Sequence, residues 1–117
     1  MKLDFEELDR NIFKVTLEGR MDIVGAQQID TKMAGLAASP GRFLLVDLSG
    51  VDFLASIGIR TLLLNAKSLK QRNGGMVIFG AVESVEKTLR TAGIDSLIPI
   101  HADFQAARAE AGLPPAA

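Results

Sequence analysis

Ser56 is the residue best placed to do chemistry. It opens a helix-like pattern that follows an apolar run, Phe43 to Val46, ending in Asp47 and a polar turn at Ser49-Gly50. A serine at the start of such a helix faces solvent, and its hydroxyl can cap the unpaired amides of the first turn. As a catalytic nucleophile it would need a base. The one histidine, His101, falls near a C-terminal edge strand, away from the loops that would surround Ser56. Hydrolysis by Ser56 is therefore disfavoured. Asp22, Asp47 and Asp52 could meet at the ends of neighbouring strands, where three carboxylates would hold magnesium and one would accept a phosphoryl group. Such a site needs a first strand that leads straight into an acidic pair and a helix, and here it leads into a hairpin. Asp47 and Asp52 are instead expected to order their loop by accepting hydrogen bonds from its amides. Asp22 is divided between a helix-entry role and a partner contact.

Other chemistries find little support. Gly74-Gly75 lacks the glycine-lysine context of a phosphate loop, and Gly80 lacks the following glycines of a dinucleotide turn. The four Met read as core filler or helix surface, so no cofactor is indicated. With no Cys and a single His, disulfides and zinc sites are not expected. The net charge of −1 comes from 13 basic and 14 acidic residues with no block of either sign, which argues against nucleic acid or an anionic membrane as partner. The start MKLDFEELDR has no apolar leader core, and no apolar run approaches a membrane span, so the expected location is the cytoplasm.

At 117 residues, 48% hydrophobic and 23% charged, the chain has room for one domain with one core. Lys2 to Glu6 and Ile12 to Glu18 alternate apolar with polar residues across the Asp9-Arg10-Asn11 turn and predict an antiparallel hairpin. Ala26, Ile29, Met33 and Leu36 share one helix face, closed by Ser39-Pro40-Gly41. Phe43 to Leu48 is too apolar to alternate, as in a strand covered on both faces. In the helix that follows, Ile59, Leu62, Leu63, Ala66, Leu69 and the stem of Lys70 form the predicted core face. Ile57, Thr61, Leu64 and Ser68 then point outward, with Arg60 at the border. Asn73-Gly74-Gly75 should stop this helix through a left-handed glycine, and Gly75 to Phe79 should be another buried strand.

Val85, Leu89 and Ala92 mark a third helix ending at Gly93, with Glu83–Lys87 and Glu86–Arg90 as exposed pairs. Leu97 to Ile100 carries Pro99 and reads as an edge strand; Asp103 should cap a last Ala-rich helix. The order ββαβαβαβα predicts an α/β fold, a mixed and mostly parallel sheet of about five strands with about four helices. The domain is expected over residues 1–112, with 113–117 as a frayed tail.

The segment VDLSGVDFLASIGIRTLL resembles the signature of STAS domains, the anti-sigma factor antagonist family, in which a strand and a phenylalanine-containing loop lead to Asp-Ser-Ser-Gly at a helix start. Glu18-Gly19-Arg20-Met21-Asp22 resembles the family's Gly-x-Leu/Met-Asp turn. Ser56 falls on the phosphorylated serine and Gly58 on the motif glycine, whereas Ala55 replaces the Asp and Ile57 the second Ser. The resemblance implies a non-enzymatic switch. Unphosphorylated, it would bind an anti-sigma factor with a serine kinase fold and free a sigma factor; phosphorylation on Ser56 would abolish binding, and a serine phosphatase would restore it. The expected partner surface comprises Asp22, Ile23, Ala55, Ser56, Ile57, Gly58, Arg60, Thr61 and Leu64, on a monomer or weak dimer. The alternatives are a constitutive scaffold or accessory subunit, stressosome-like or transport-associated, that makes no use of Ser56, and a small-ligand or nucleotide sensor.

Overall fold

The computed structural model describes residues 1–116. Its elements are β1 (Lys2–Asp9), β2 (Ile12–Met21), α1 (Ile23–Ala37), β3 (Phe43–Leu54), α2 (Ser56–Gln71), β4 (Gly75–Phe79), α3 (Glu83–Thr91), a 3-10 turn (Ile94–Ser96), β5 (Ile100–His101) and α4 (Phe104–Glu110). The strands lie in the order β1-β2-β3-β4-β5, antiparallel at β1–β2 and parallel elsewhere. This is the predicted α/β topology. The hairpin turns at Asn11, whose φ of 63° suits an Asn side chain better than most. Leu44, Val46 and Leu48 of β3 join the large core with residues of α1, α2 and α3; Leu45 joins the smaller core with Val77, Phe79 and Ala107 of α4. Helices cover both faces of β3, which is why its sequence is a continuous apolar run.

Several expectations are corrected. β3 does not end at Leu48 in a Ser49-Gly50 turn but runs to Leu54, following β2 through two register shifts. The ladder partners offered by the ten-residue β2 impose strand geometry on a turn-like sequence. At the first irregularity Asp47 Oδ1 accepts the Ser49 amide at 2.9 Å, as foreseen for Asp47; Asp52 makes no such bond among the described residues. At the end of α2 the positive φ belongs to Asn73 (65°) rather than to a glycine. Gly74 serves close approach instead, since a Cβ there would lie 1.9 Å from the Arg42 carbonyl oxygen.

The face of α2 is also rotated from its predicted phase. Its buried residues are Gly58, Thr61, Leu62, Asn65 and Leu69; Ile59, Leu63 and Ala66 are half-buried at the margin of that face and still pack against the core, while Lys70 is exposed. The cause is a second neighbour. Ser68 Oγ donates to the Ala37 carbonyl of α1 at 3.4 Å, so the stripe through Thr61, Asn65 and Ser68 turns toward α1. Thr61 and Asn65 tolerate this because each bonds a carbonyl one turn back, Thr61 Oγ1 to Ile57 at 3.1 Å and Asn65 Nδ2 to Thr61 at 2.8 Å.

Further along, α3 buries Val85 and Leu89 but leaves Ala92 exposed, and Glu86 pairs with Arg90 at 3.2 Å whereas Glu83–Lys87 does not form. β5 is shorter and later than Leu97–Ile100, because Ile94–Ser96 winds into a 3-10 turn and leaves Leu97 61% exposed. It lies at the sheet edge, where Pro99 accepts from the Ile78 amide. Gly112, with φ of 79°, folds the chain back, Leu113 is buried, Arg108 Nε donates to the Pro114 carbonyl at 2.8 Å, and Gln105 bonds Ala116. Ala117 lies outside the described residues.

Candidate functional site

The site forms where β2 and β3 end side by side. Met21 is paired with Leu54, and the Ala55 amide donates to the Met21 carbonyl at 3.0 Å, so the starts of α1 and α2 emerge together. Two residues without side chains allow the close packing. A Cβ on Gly25 would lie 2.0 Å from the Arg20 carbonyl oxygen, and one on Gly58 would lie 2.7 Å from Met21 Cγ and 2.8 Å from Leu54 Cδ1. Gly58 is thus buried packing that sets the position of α2, not part of an exposed contact surface as expected.

The two helix starts differ in one respect that bears on chemistry. Asp22 caps α1, its Oδ1 accepting the Gly25 amide at 2.8 Å while its Oδ2 meets Arg20 Nε at 3.2 Å. The Gly25 hydrogen bond above all, then the Arg20 charge, holds the Asp22 carboxyl below the usual carboxylate range, against a partial desolvation that works the other way. Asp22 therefore takes the helix-entry role. At α2 the cap position is Ala55, with backbone angles (φ −91°, ψ 168°) close to those of Asp22 (φ −94°, ψ −165°) but no side chain to accept. The Gly58 amide falls back on the Ala55 carbonyl at 2.9 Å, which it shares with the Ile59 amide at 3.1 Å. Ser56 is the first helical residue and does not cap. Its side chain is exposed and makes no hydrogen bond among the described residues, and the amides of Ser56 and Ile57 are equally without an acceptor.

Exposed aliphatics lie on both helices. Ile23 and Val24, in the first turn of α1, are 64% and 60% exposed, and Leu64, two turns into α2, is 54% exposed. Ile57 is half-buried and Arg60 exposed. Thr61, expected beside them, is 6% exposed and turned toward α1, so it leaves this surface. Arg20 lies over the exposed Phe53 ring at 3.8 Å while it holds Asp22, adding a stacked cation at the rim. Val24, Phe53 and Arg20 were missed in the sequence. Val24 lies two residues before Ala26 and so on the opposite side of α1 from the Ala26, Ile29, Met33 and Leu36 stripe, and that spacing could have found it.

His101 bonds Glu110 of α4 at 3.0 Å, and among the described residues no base bonds Ser56. Among the described residues no three His, Cys, Asp or Glu side chains gather as metal ligands, so Asp22, Asp47 and Asp52 do not converge.

The chain is similar to a Bordetella bronchiseptica protein described as anti-sigma factor antagonist BtrV, at 28% identity over 109 residues that cover 93% of each. Its fold is that of an anti-sigma factor antagonist from Mycobacterium paratuberculosis, with a TM-score of 0.84 at 22% identity over 93% of this chain and 92% of that one. It is also that of the Bacillus cell fate determinant SpoIIAA in its phosphorylated form, with a TM-score of 0.71 at 17% identity over 94% and 99%. No described helix is long and apolar enough to cross a membrane. The family model of the STAS domain runs from the first strand into the last helix, matching residues 3–107, and with that match the chain belongs to the STAS domain family.

Proposed function

We propose that the protein is an anti-sigma factor antagonist of the cytoplasm, controlled by phosphorylation of Ser56. Unmodified, it binds an anti-sigma factor with a serine kinase fold through Ile23, Val24, Phe53, Ile57, Arg60 and Leu64, and a sigma factor is released. The partner then transfers the γ-phosphoryl group of ATP to Ser56 Oγ. An oxygen–phosphorus bond forms, the bond to ADP breaks, and the hydroxyl proton leaves to a base of the kinase. A phosphatase reverses this with water. The protein is a substrate and not an enzyme. The observation that carries this proposal is an exposed hydroxyl, free of any hydrogen bond, at the head of α2 beside exposed Ile23, Val24 and Leu64. Roughly two added negative charges there would oppose docking of an apolar surface, while the unpaired amides at the helix start would tolerate them.

Incubation with cytosol of the source organism and ATP, followed by peptide mapping, tests it. Phosphate on Ser56 and loss of a co-purifying protein are the expected result. Phosphate on Ser49 with Ser56 unmodified would overturn it. A constitutive scaffold draws support from Ala55, which leaves α2 without a side-chain cap, and it would form its complex equally with and without ATP.

A further inference from the structure

The first turn of α2 and the later part of α3 border an open surface cleft of about 410 Å³, lined by Ser56, Ile59, Lys87, Thr88, Thr91 and Ala92. Lys87 is the one ionisable residue of the six, and three of the others carry hydroxyls. No carboxylate lines the cleft. Lys87 has no ion-pair partner among the described residues: Glu83, one turn before it, does not reach it, and Glu86 is taken by Arg90, which also meets Asp95 at 3.6 Å. Thr88 donates to the Ser84 carbonyl at 3.0 Å, and the Thr91 side chain makes no hydrogen bond among the described residues. An uncompensated cation and a free hydroxyl donor thus face the same space as the Ser56 side chain.

We propose that Lys87 receives the phosphoryl group carried by Ser56, so that the modified side chain is held in the α2–α3 cleft by an ion pair across it. This rests on Ser56 being the phosphate acceptor. A phosphoserine dianion with three acceptor oxygens suits a lysine and neighbouring hydroxyls, and charge-assisted bonds of this kind are the strong ones. Both side chains line one cleft, and the long, flexible lysine stem is the part that would move to form the pair. Lys87 is a positioning residue of the modified state. Phosphorylation then ties α3 to the head of α2, and its mark on the surface extends beyond Ser56 itself.

The test uses full-length protein in which phosphoserine is inserted at position 56 during translation, so that no kinase is needed. Phosphorus NMR follows the second ionisation of the phosphate with pH at low salt. In Lys87→Ala and Lys87→Gln the midpoint should rise by about half a pH unit, because the dianion loses its cation. Lys87→Arg should restore it, Lys67→Ala, an exposed α2 lysine outside the cleft, should leave it unchanged, and 1 M salt should erase most of the difference. Equal midpoints in the parent, Lys87→Ala and Lys87→Gln would overturn the contact while leaving Ser56 as phosphate acceptor untouched. Failure of the native kinase to modify Ser56 would instead overturn the switch, with the NMR result standing by itself.

Discussion

Replacing Ala55 by Asp should stabilise the domain, and the structure supplies the reason. Ala55 already has nearly the backbone angles with which Asp22 caps α1, so an introduced carboxylate can reach the Gly58 amide as Asp22 reaches that of Gly25 at 2.8 Å. That amide now shares the Ala55 carbonyl with Ile59. A new cap contributes about 1 kcal/mol, which raises Tm by about 4 °C in a domain of this size. Phosphorylation of Ser56 draws on the same helix start, where the Ser56 and Ile57 amides have no acceptor among the described residues. In the parent it should add about 0.5 to 1 kcal/mol, or about 2 to 4 °C, and in Ala55→Asp it should add less, because two anions then compete for one helix start. Thermal unfolding followed by circular dichroism at low salt, on both proteins with and without phosphate, gives the four values needed. If Ala55→Asp melts at or below the parent temperature, the head of α2 is not the uncapped site described here.

Three further outcomes are expected. Asp22→Asn should lower Tm in a pH-dependent way: the folded carboxyl is held below its unfolded value, so its contribution is present above about pH 4 and disappears as pH falls through the lowered value. Parent and variant melting curves should therefore converge in acid, and a constant difference down to pH 2 would contradict the cap. Gly58→Ala should cost about 1 to 3 kcal/mol in denaturant unfolding, since the added methyl meets Met21 Cγ at 2.7 Å and the Met21 carbonyl oxygen at 3.1 Å. Leu64→Lys should melt within about 2 °C of the parent, because the residue is 54% exposed, yet weaken the partner complex by about 1 to 3 kcal/mol in a binding titration.

Much of the fold was legible because its signals are local. Asp22 and Asp103 accept amides three residues on, and Gly93 takes a positive φ at the end of α3. The errors arose where a second neighbour decides. Thr61 and Asn65 look like solvent residues, but they satisfy their polar groups within their own helix and are free to face α1. Ser49-Gly50 looks like a turn, and only the length of β2 beside it makes it strand. Similarly, Ser56 was legible as a helix-opening hydroxyl, whereas the backbone angles of Ala55 decide that it, and not Ser56, takes the cap position.

The central claim is that a phosphate on Ser56 abolishes partner binding without harming the fold. The most direct measurement is the Kd of the captured partner for unmodified and Ser56-phosphorylated protein, with Tm read on the same samples. A Kd at least tenfold weaker, about 1.4 kcal/mol, with Tm equal or higher is predicted. An unchanged Kd at full occupancy of phosphoserine 56 would contradict it.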